Sequence, residues 1–138
     1  MPMRTTGIRE IARKCDRFPV ELAAELRPAV QAGADLGAAK VREKWGWSSA
    51  IPALVTSTAR LSSAGGAEVR TKDRGYPHAG EVRAYEGDGI SPEPSRHPVY
   101  GTDTWVEFMT RPSHGPGIRE AAPEIKAMIA AAVHRALT

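Results

Sequence analysis

A chain of 138 residues, 41% hydrophobic and 25% charged, is sized for one domain that buries roughly 68–70% of its unfolded surface. One cysteine, Cys15, excludes an internal disulfide framework. No apolar run reaches the roughly 18 residues that a membrane span needs, and the start MPMRTTGIRE lacks the apolar stretch of a secretory leader. The expectation is a protein made in a reducing cytoplasm.

The net charge of +3 gathers at the N-terminus, where Arg4, Arg9, Arg13, Lys14 and Arg17 outnumber Glu10 and Asp16. Residues 1–18 show no clear period and are expected as a basic arm or short helix, solvated rather than phosphate-bound. The remainder, residues 19–138, is expected as a single domain. Along residues 19–45, Leu22, Leu26, Val30, Gly33, Gly37, Val41 and Trp45 recur every three or four positions, which predicts one apolar helical face. Pro28 falls inside that stripe and predicts a kink or a break. Gly33 and Gly37 would let another backbone come close.

After Gly46 the period becomes two. Ile51, Ala53, Val55, Ala59 and Leu61 alternate with more polar neighbours, and residues 67–72 alternate again beyond a Ser/Gly turn at residues 62–66. The pattern predicts a β-hairpin. Residues 77–86 suit a short helix with Pro77 in its first turn. Residues 87–98 (GDGISPEPSRHP) carry too many breakers for regular structure and predict a long loop. Val99–Tyr100 and residues 105–109 suit short strands, with Val106 and Phe108 on one face and Trp105, Glu107 and Met109 on the other. A final helix follows from the stripe Ile118, Ala121, Ile125, Met128 or Ile129, Ala132 and Ala136 or Leu137, with Pro123 in its first turns or at a bend. The class is therefore α+β: a small antiparallel sheet with a β-hairpin, packed against a long N-terminal helix and a C-terminal helix.

No arrangement of reactive residues carries an enzyme signature. The four histidines, His78, His97, His114 and His134, fall on separate elements with no paired spacing. A metal-dependent hydrolase would need His78, Glu81, Glu86 and His97 to converge through folding back of the long loop. Cys15 sits among cations that could lower its pKa, but in an arm that holds no partner in place. The serines lie in turns outside any nucleophile-elbow context, and no glycine-rich phosphate motif is present. Trp45, Trp47 and Trp105 are not interleaved with cations on one strand, so core or interface anchoring is favoured over base stacking. A basic nucleic-acid-binding module, with the N-terminal arm on phosphates, is the remaining alternative class.

Four stretches carry a resemblance. An Ala-rich amphipathic helix leads into Trp47-Ser48-Ser49 and the hairpin. Tyr76-Pro77-His78-Ala79 follows, with Glu86-Gly87 after it. Arg96-His97-Pro98-Val99-Tyr100-Gly101 precedes Trp105, and Thr110-Arg111-Pro112 leads into the last helix. In this order the chain resembles the small tail-completion and tail-terminator proteins of the neck of long-tailed bacteriophages, particularly those of actinobacterial hosts. One departure is Ser113-His114-Gly115-Pro116-Gly117, where the family often has an apolar Phe-Leu.

The resemblance implies a structural virion protein without a cofactor: a tail terminator, or alternatively a head-tail stopper or other minor tail protein. It implies a homo-oligomeric ring, usually hexameric, assembled in the host cytoplasm. The tail-tube protein would lie on one side, a head-connector protein on the other, and genomic duplex DNA would pass through the lumen. The assembly interface would draw on Tyr76, Pro77, His78, Glu86, Arg96, His97, Pro98, Val99, Tyr100, Trp105 and Arg111. Residues 87–98 would order on contact with a neighbouring ring, and deletion of residues 88–95 would spare the fold.

Overall fold

Alternating apolar positions make one hairpin and helical stripes make two long helices, and the chain is α+β as expected. A computed structural model describes residues 6–60, 66–98 and 101–138, with side chains from residue 19 onward. In chain order the elements are α1 (Thr6–Lys44), one turn of 3-10 helix (Ile51–Leu54), β1 (Val55–Arg60), β2 (Gly66–Thr71), α2 (Ala79–Glu86), β3 (Pro94–Pro98), β4 (Trp105–Met109) and α3 (His114–Leu137). Residues 1–5, the turn at 61–65, and Val99 and Tyr100 lie outside the described residues, as do the side chains of 6–18, Cys15 included.

α1 and α3 run antiparallel along each other. Glu25 pairs with Arg135 at 2.8 Å. Ile125 seats over Gly33, Ile118 over Gly37, and Gly117 against the backbone of Lys40 and Val41. Lys44 closes the other end on Glu120. The helix continues through Pro19 and Pro28 without a break. A proline costs a helix interior about 3 kcal/mol, yet Pro28 is exposed and the turns on either side of it are gripped by Arg135 and Ile125. Contact with α3 outweighs the local penalty. Residues 6–18, expected as an arm or short helix, form the first turns of the same helix.

The β1–β2 hairpin lies against α1 with Val55 opposite Thr71, Ser57 opposite Val69 and Ala59 opposite Ala67. Its inner face meets the helix through Val69 over Gly37 and through Ser57, whose hydroxyl donates to Asp35 at 2.7 Å. The Arg42 guanidinium donates to the Val55 carbonyl at 2.9 Å. Ala38, Val41, Trp45, Ile51, Val55 and Val82 form the buried core beneath, with Leu54, Val69 and Tyr85 at its margin.

The strand expected to begin at Ile51 begins at Val55 instead. The Ser48 hydroxyl accepts the amides of Ala50 and Ile51 at 3.3 and 3.2 Å, and Pro52 sits at the start of the turn, so Ile51 enters the core from a helical turn. The second correction concerns residues 87–98. They are not an irregular loop throughout: Pro94–Pro98 is a strand paired antiparallel with β4, Arg96 opposite Glu107. Prolines at both strand ends suit a two-stranded ribbon, whose outer edges need no amide partner. The sheet is thus two separate hairpins.

Candidate assembly surface

The residues singled out by sequence separate into groups with different work. Tyr76, Pro77 and His78 form an exposed turn in which the Ala79 amide reaches the Tyr76 carbonyl at 3.2 Å. His78 takes a positive φ of 68°, as the third position of a type II turn requires after proline. Its Nδ1 lies 3.0 Å from Glu81, and the Lys72 ammonium stands 4.6 Å over the Tyr76 ring. α2 therefore begins at Ala79, and Pro77 precedes it rather than occupying its first turn.

Glu86 is no surface anchor. Its carboxylate accepts the Ser113 amide at 3.1 Å, the Ser113 hydroxyl at 2.5 Å and the His114 amide at 2.9 Å. Those amides open α3 and have no carbonyl one turn back to bond, and an anion there also meets the positive end of the helix dipole. The neighbouring chain is stitched to the same region. The Gly115 amide donates to the Gly89 carbonyl at 2.7 Å and the Arg111 amide to that of Tyr85 at 2.6 Å. Thr110 and Glu93 exchange bonds, the Thr110 amide reaching the Glu93 carbonyl and the Glu93 amide reaching Thr110 Oγ1. Arg119 donates to the Ile90 carbonyl at 3.0 Å. Deletion of 88–95 would strip these partners from buried Thr110 and from the start of α3, and should therefore destabilise the fold, against the expectation that it would spare it.

The departure at residues 113–117 gains a physical meaning here. A Cβ on Gly115 would stand 2.4 Å from the Gly89 carbonyl oxygen, and one on Gly117 would stand 3.0 Å from the Val41 amide nitrogen. The glycines allow the first turn of α3 to lie against two backbones at once. The close approach expected at Gly33 and Gly37 occurs at Gly117; the other two receive side chains.

Arg96, His97, Pro98 and Trp105 belong to the β3–β4 hairpin. Pleating places Arg96, Trp105 and Met109 on one face, where the Arg96 guanidinium lies 5.0 Å over the Trp105 ring. His97, Val106 and Phe108 share the other face. From Phe108 a run of stacked rings leads into the core: Phe108 to Tyr85 at 5.1 Å, Tyr85 to Trp47 at 4.8 Å and Trp47 to Trp45 at 5.4 Å. His97 caps the outer end at 5.6 Å from Phe108. Arg111 lies 4.9 Å over the Trp47 ring, so it braces this stack. Such offset and edge contacts contribute about 0.5–1.5 kcal/mol each beyond their buried area.

Sequence inspection missed Trp47, Tyr85 and Phe108 as one unit, because no local period relates them. Ser113 before a helical stripe was the one available sign of a cap at that position. On the hairpin, Trp105 is 53%, Val106 42% and Met109 53% exposed. Among the described residues, β3 and β4 pair extensively only with one another.

The hydrolase group does not assemble: His78 touches Glu81, whereas Glu86 is taken by Ser113 and His114, and His97 faces Phe108 and the Pro98 carbonyl. Among the described residues no three His, Cys, Asp or Glu side chains are placed to hold a metal ion, and no helix is long and apolar enough to cross a membrane. Comparison with protein-family models, with curated proteins and with solved structures finds no match to this chain.

Proposed function

We propose that the protein is a structural subunit of a bacteriophage neck, a tail terminator that closes into a ring on the tail tube and joins it to the head connector. The observation that carries this reading is the β3–β4 hairpin with Trp105, Val106 and Met109 open to solvent. Trp105 and Met109 share one face of the hairpin with Arg96; exposed apolar groups on one face mark an interaction surface, and tryptophan and arginine are the residue types that anchor protein interfaces. The hairpin carries the Arg96-His97-Pro98 and Trp105 segments of the family resemblance. It is tied to the core by the ring stack, so force on the hairpin is passed to packed side chains. In a cyclic ring each subunit presents two different faces to its neighbours, and a body of two long helices with two hairpins supplies them.

The test is electron microscopy with solution mass measurement over a range of concentrations, alone and with assembled tail tubes. Closed rings with a central hole wide enough for duplex DNA are expected. Trp105→Ala combined with Met109→Ser should abolish ring closure while leaving the far-ultraviolet spectrum unchanged. A protein that stays monomeric at every concentration and does not bind tail tubes overturns the reading.

A further inference from the structure

The outer face of the β1–β2 hairpin has no part in the core or in the ring stack. Pleating turns Thr56, Thr58 and Arg60 of β1 and Arg70 of β2 away from α1, and Lys72 and Arg74 continue the row into the next segment. Together with Tyr76 they line a trough of about 930 Å³. Four cations face two carboxylates, Glu68 and Asp73, in that lining. The face therefore carries a local excess of two positive charges. Glu68 is engaged by Arg70 at 2.9 Å, and Lys72 by the Tyr76 ring. Arg60 and Arg74 are exposed with no acidic partner among the described residues.

We infer that this face binds the phosphate backbone of duplex DNA without reading its sequence. Enclosed small-molecule sites cover about 70–90% of their ligand, and this trough is lined mostly by exposed side chains. It suits an extended polyanion instead. Two features favour nucleic acid over an acidic polypeptide. The Thr58 hydroxyl stands on the same pleat as the arginines, and both are groups that donate to phosphate oxygens, whereas the Thr56 hydroxyl already donates to the Arg70 carbonyl at 3.4 Å.

The spacing also matches. Same-face residues of a strand repeat every ~7 Å, and consecutive phosphates of one DNA strand, which advance about 3.4 Å along the axis while winding around it, lie roughly twice that far apart through space, so neighbouring phosphates keep step with the pleat. A two-stranded ribbon also fits the major groove, and here α1 backs the ribbon from behind through Asp35, Gly37 and Arg42. The inference deepens the neck reading by naming the surface that meets the genome. Its test uses the free chain and free DNA, so its failure is distinct from a failure to form rings.

The experiment is fluorescence anisotropy of a labelled short duplex of mixed sequence, titrated with the full chain between about 50 and 200 mM salt, where contact with three phosphates predicts a loss of affinity of roughly 40-fold. Arg60→Ala with Arg74→Ala should lower the slope of log affinity against log salt by about two. Arg60→Lys with Arg74→Lys should restore most of it, and Arg96→Ala on the other hairpin should leave it unchanged. Thermal unfolding of each variant confirms that the fold persists. Absence of binding at the low-salt end overturns the inference. So does binding that the Arg60/Arg74 pair does not affect, which would place the contact on the N-terminal cations. Tighter binding of a poly-glutamate peptide than of the duplex overturns it in favour of an acidic protein partner.

Discussion

The Glu86 carboxylate accepts both the amide and the hydroxyl of Ser113, at 3.1 and 2.5 Å. The end of α2 thereby caps the start of α3, and Ser113 is fully buried at the junction. The side chain of Ser113 does not cap its own helix; it orients the carboxylate that does.

Glu86→Ala leaves the buried hydroxyl and two helix-opening amides without their acceptor. The expected loss is about 2–4 kcal/mol, since each buried unpaired group costs about 1–3 kcal/mol and a missing cap about 1 kcal/mol. Glu86→Gln keeps one acceptor oxygen and should lose about half as much. Urea denaturation of the three proteins measures the order. Equal stability of all three would remove the cap from the account of the fold.

The same substitution at two glycines should act with opposite sign. Gly117→Ala places a methyl group 3.0 Å from the Val41 nitrogen and 3.1 Å from the Lys40 carbonyl carbon, both backbone atoms. α1 and α3 must then separate, at a cost of about 1–3 kcal/mol. Gly80→Ala in α2 meets nothing within 4 Å and should stabilise by about 0.5–1 kcal/mol through reduced freedom of the unfolded chain. Thermal melts of the pair decide whether the Gly117 contact is as close as described.

Tyr85 holds the β3–β4 hairpin to the body through Phe108 on one side and Trp47 on the other. Tyr85→Ala should raise amide exchange across residues 94–109 while the middle of α1 and of α3 keeps its protection, because local opening follows the loss of local contacts. Exchange mass spectrometry reads this directly. Uniform protection in the variant would show that the ring stack does not hold the hairpin.

The acid limb of the stability curve has three identified contributors. The Ser57 hydroxyl, with Gln31, holds the Asp35 carboxyl below the ordinary aspartate value of 3.8. The amides of Ile90 and Ser91 do the same for Asp88, and the Lys44 ammonium lowers Glu120 from 4.5. Each folded-state pKa lies below its unfolded value, so each contribution is complete above the unfolded pKa and lost as pH falls through the folded one. Stability should be flat with respect to these groups from pH 6 to 8 and should fall below about pH 4.5. The combined Asp35→Asn, Asp88→Asn and Glu120→Gln variant should show a shallower fall. Urea midpoints as a function of pH check the slope, and a steeper one would reverse the sign of the argument.

Local pattern carried much of the fold. The alternation of Val55, Ala59 and Leu61 with more polar neighbours, repeated over residues 67–72, marked a hairpin, and the three-to-four spacing of Leu26, Val30, Gly33, Gly37 and Val41 marked the face of α1. Less of the candidate surface was visible. Arg96, His97 and Trp105 were singled out and lie together on an exposed hairpin, whereas Glu86 lay among the same candidates and proves to be an internal cap. The breaker-rich run 87–98 suppressed the strand signal of Pro94–Pro98, because composition counts prolines without showing which strand edge they occupy.

The sequence by itself determined the α+β class, the two long helices and the first hairpin, since these follow from side-chain periods of two and 3.6 that act within one element. Tertiary structure alone decided the rest. Glu86 meets Ser113 across 27 residues, Arg135 meets Glu25 across 110, and Gly117 lets two helix backbones touch. Trp47, in the turn after α1, Tyr85 of α2 and Phe108 of β4 become one stack only when three separate segments are packed together. No local spacing encodes such meetings. They are set by which buried groups lack a partner within their own element and must find one elsewhere.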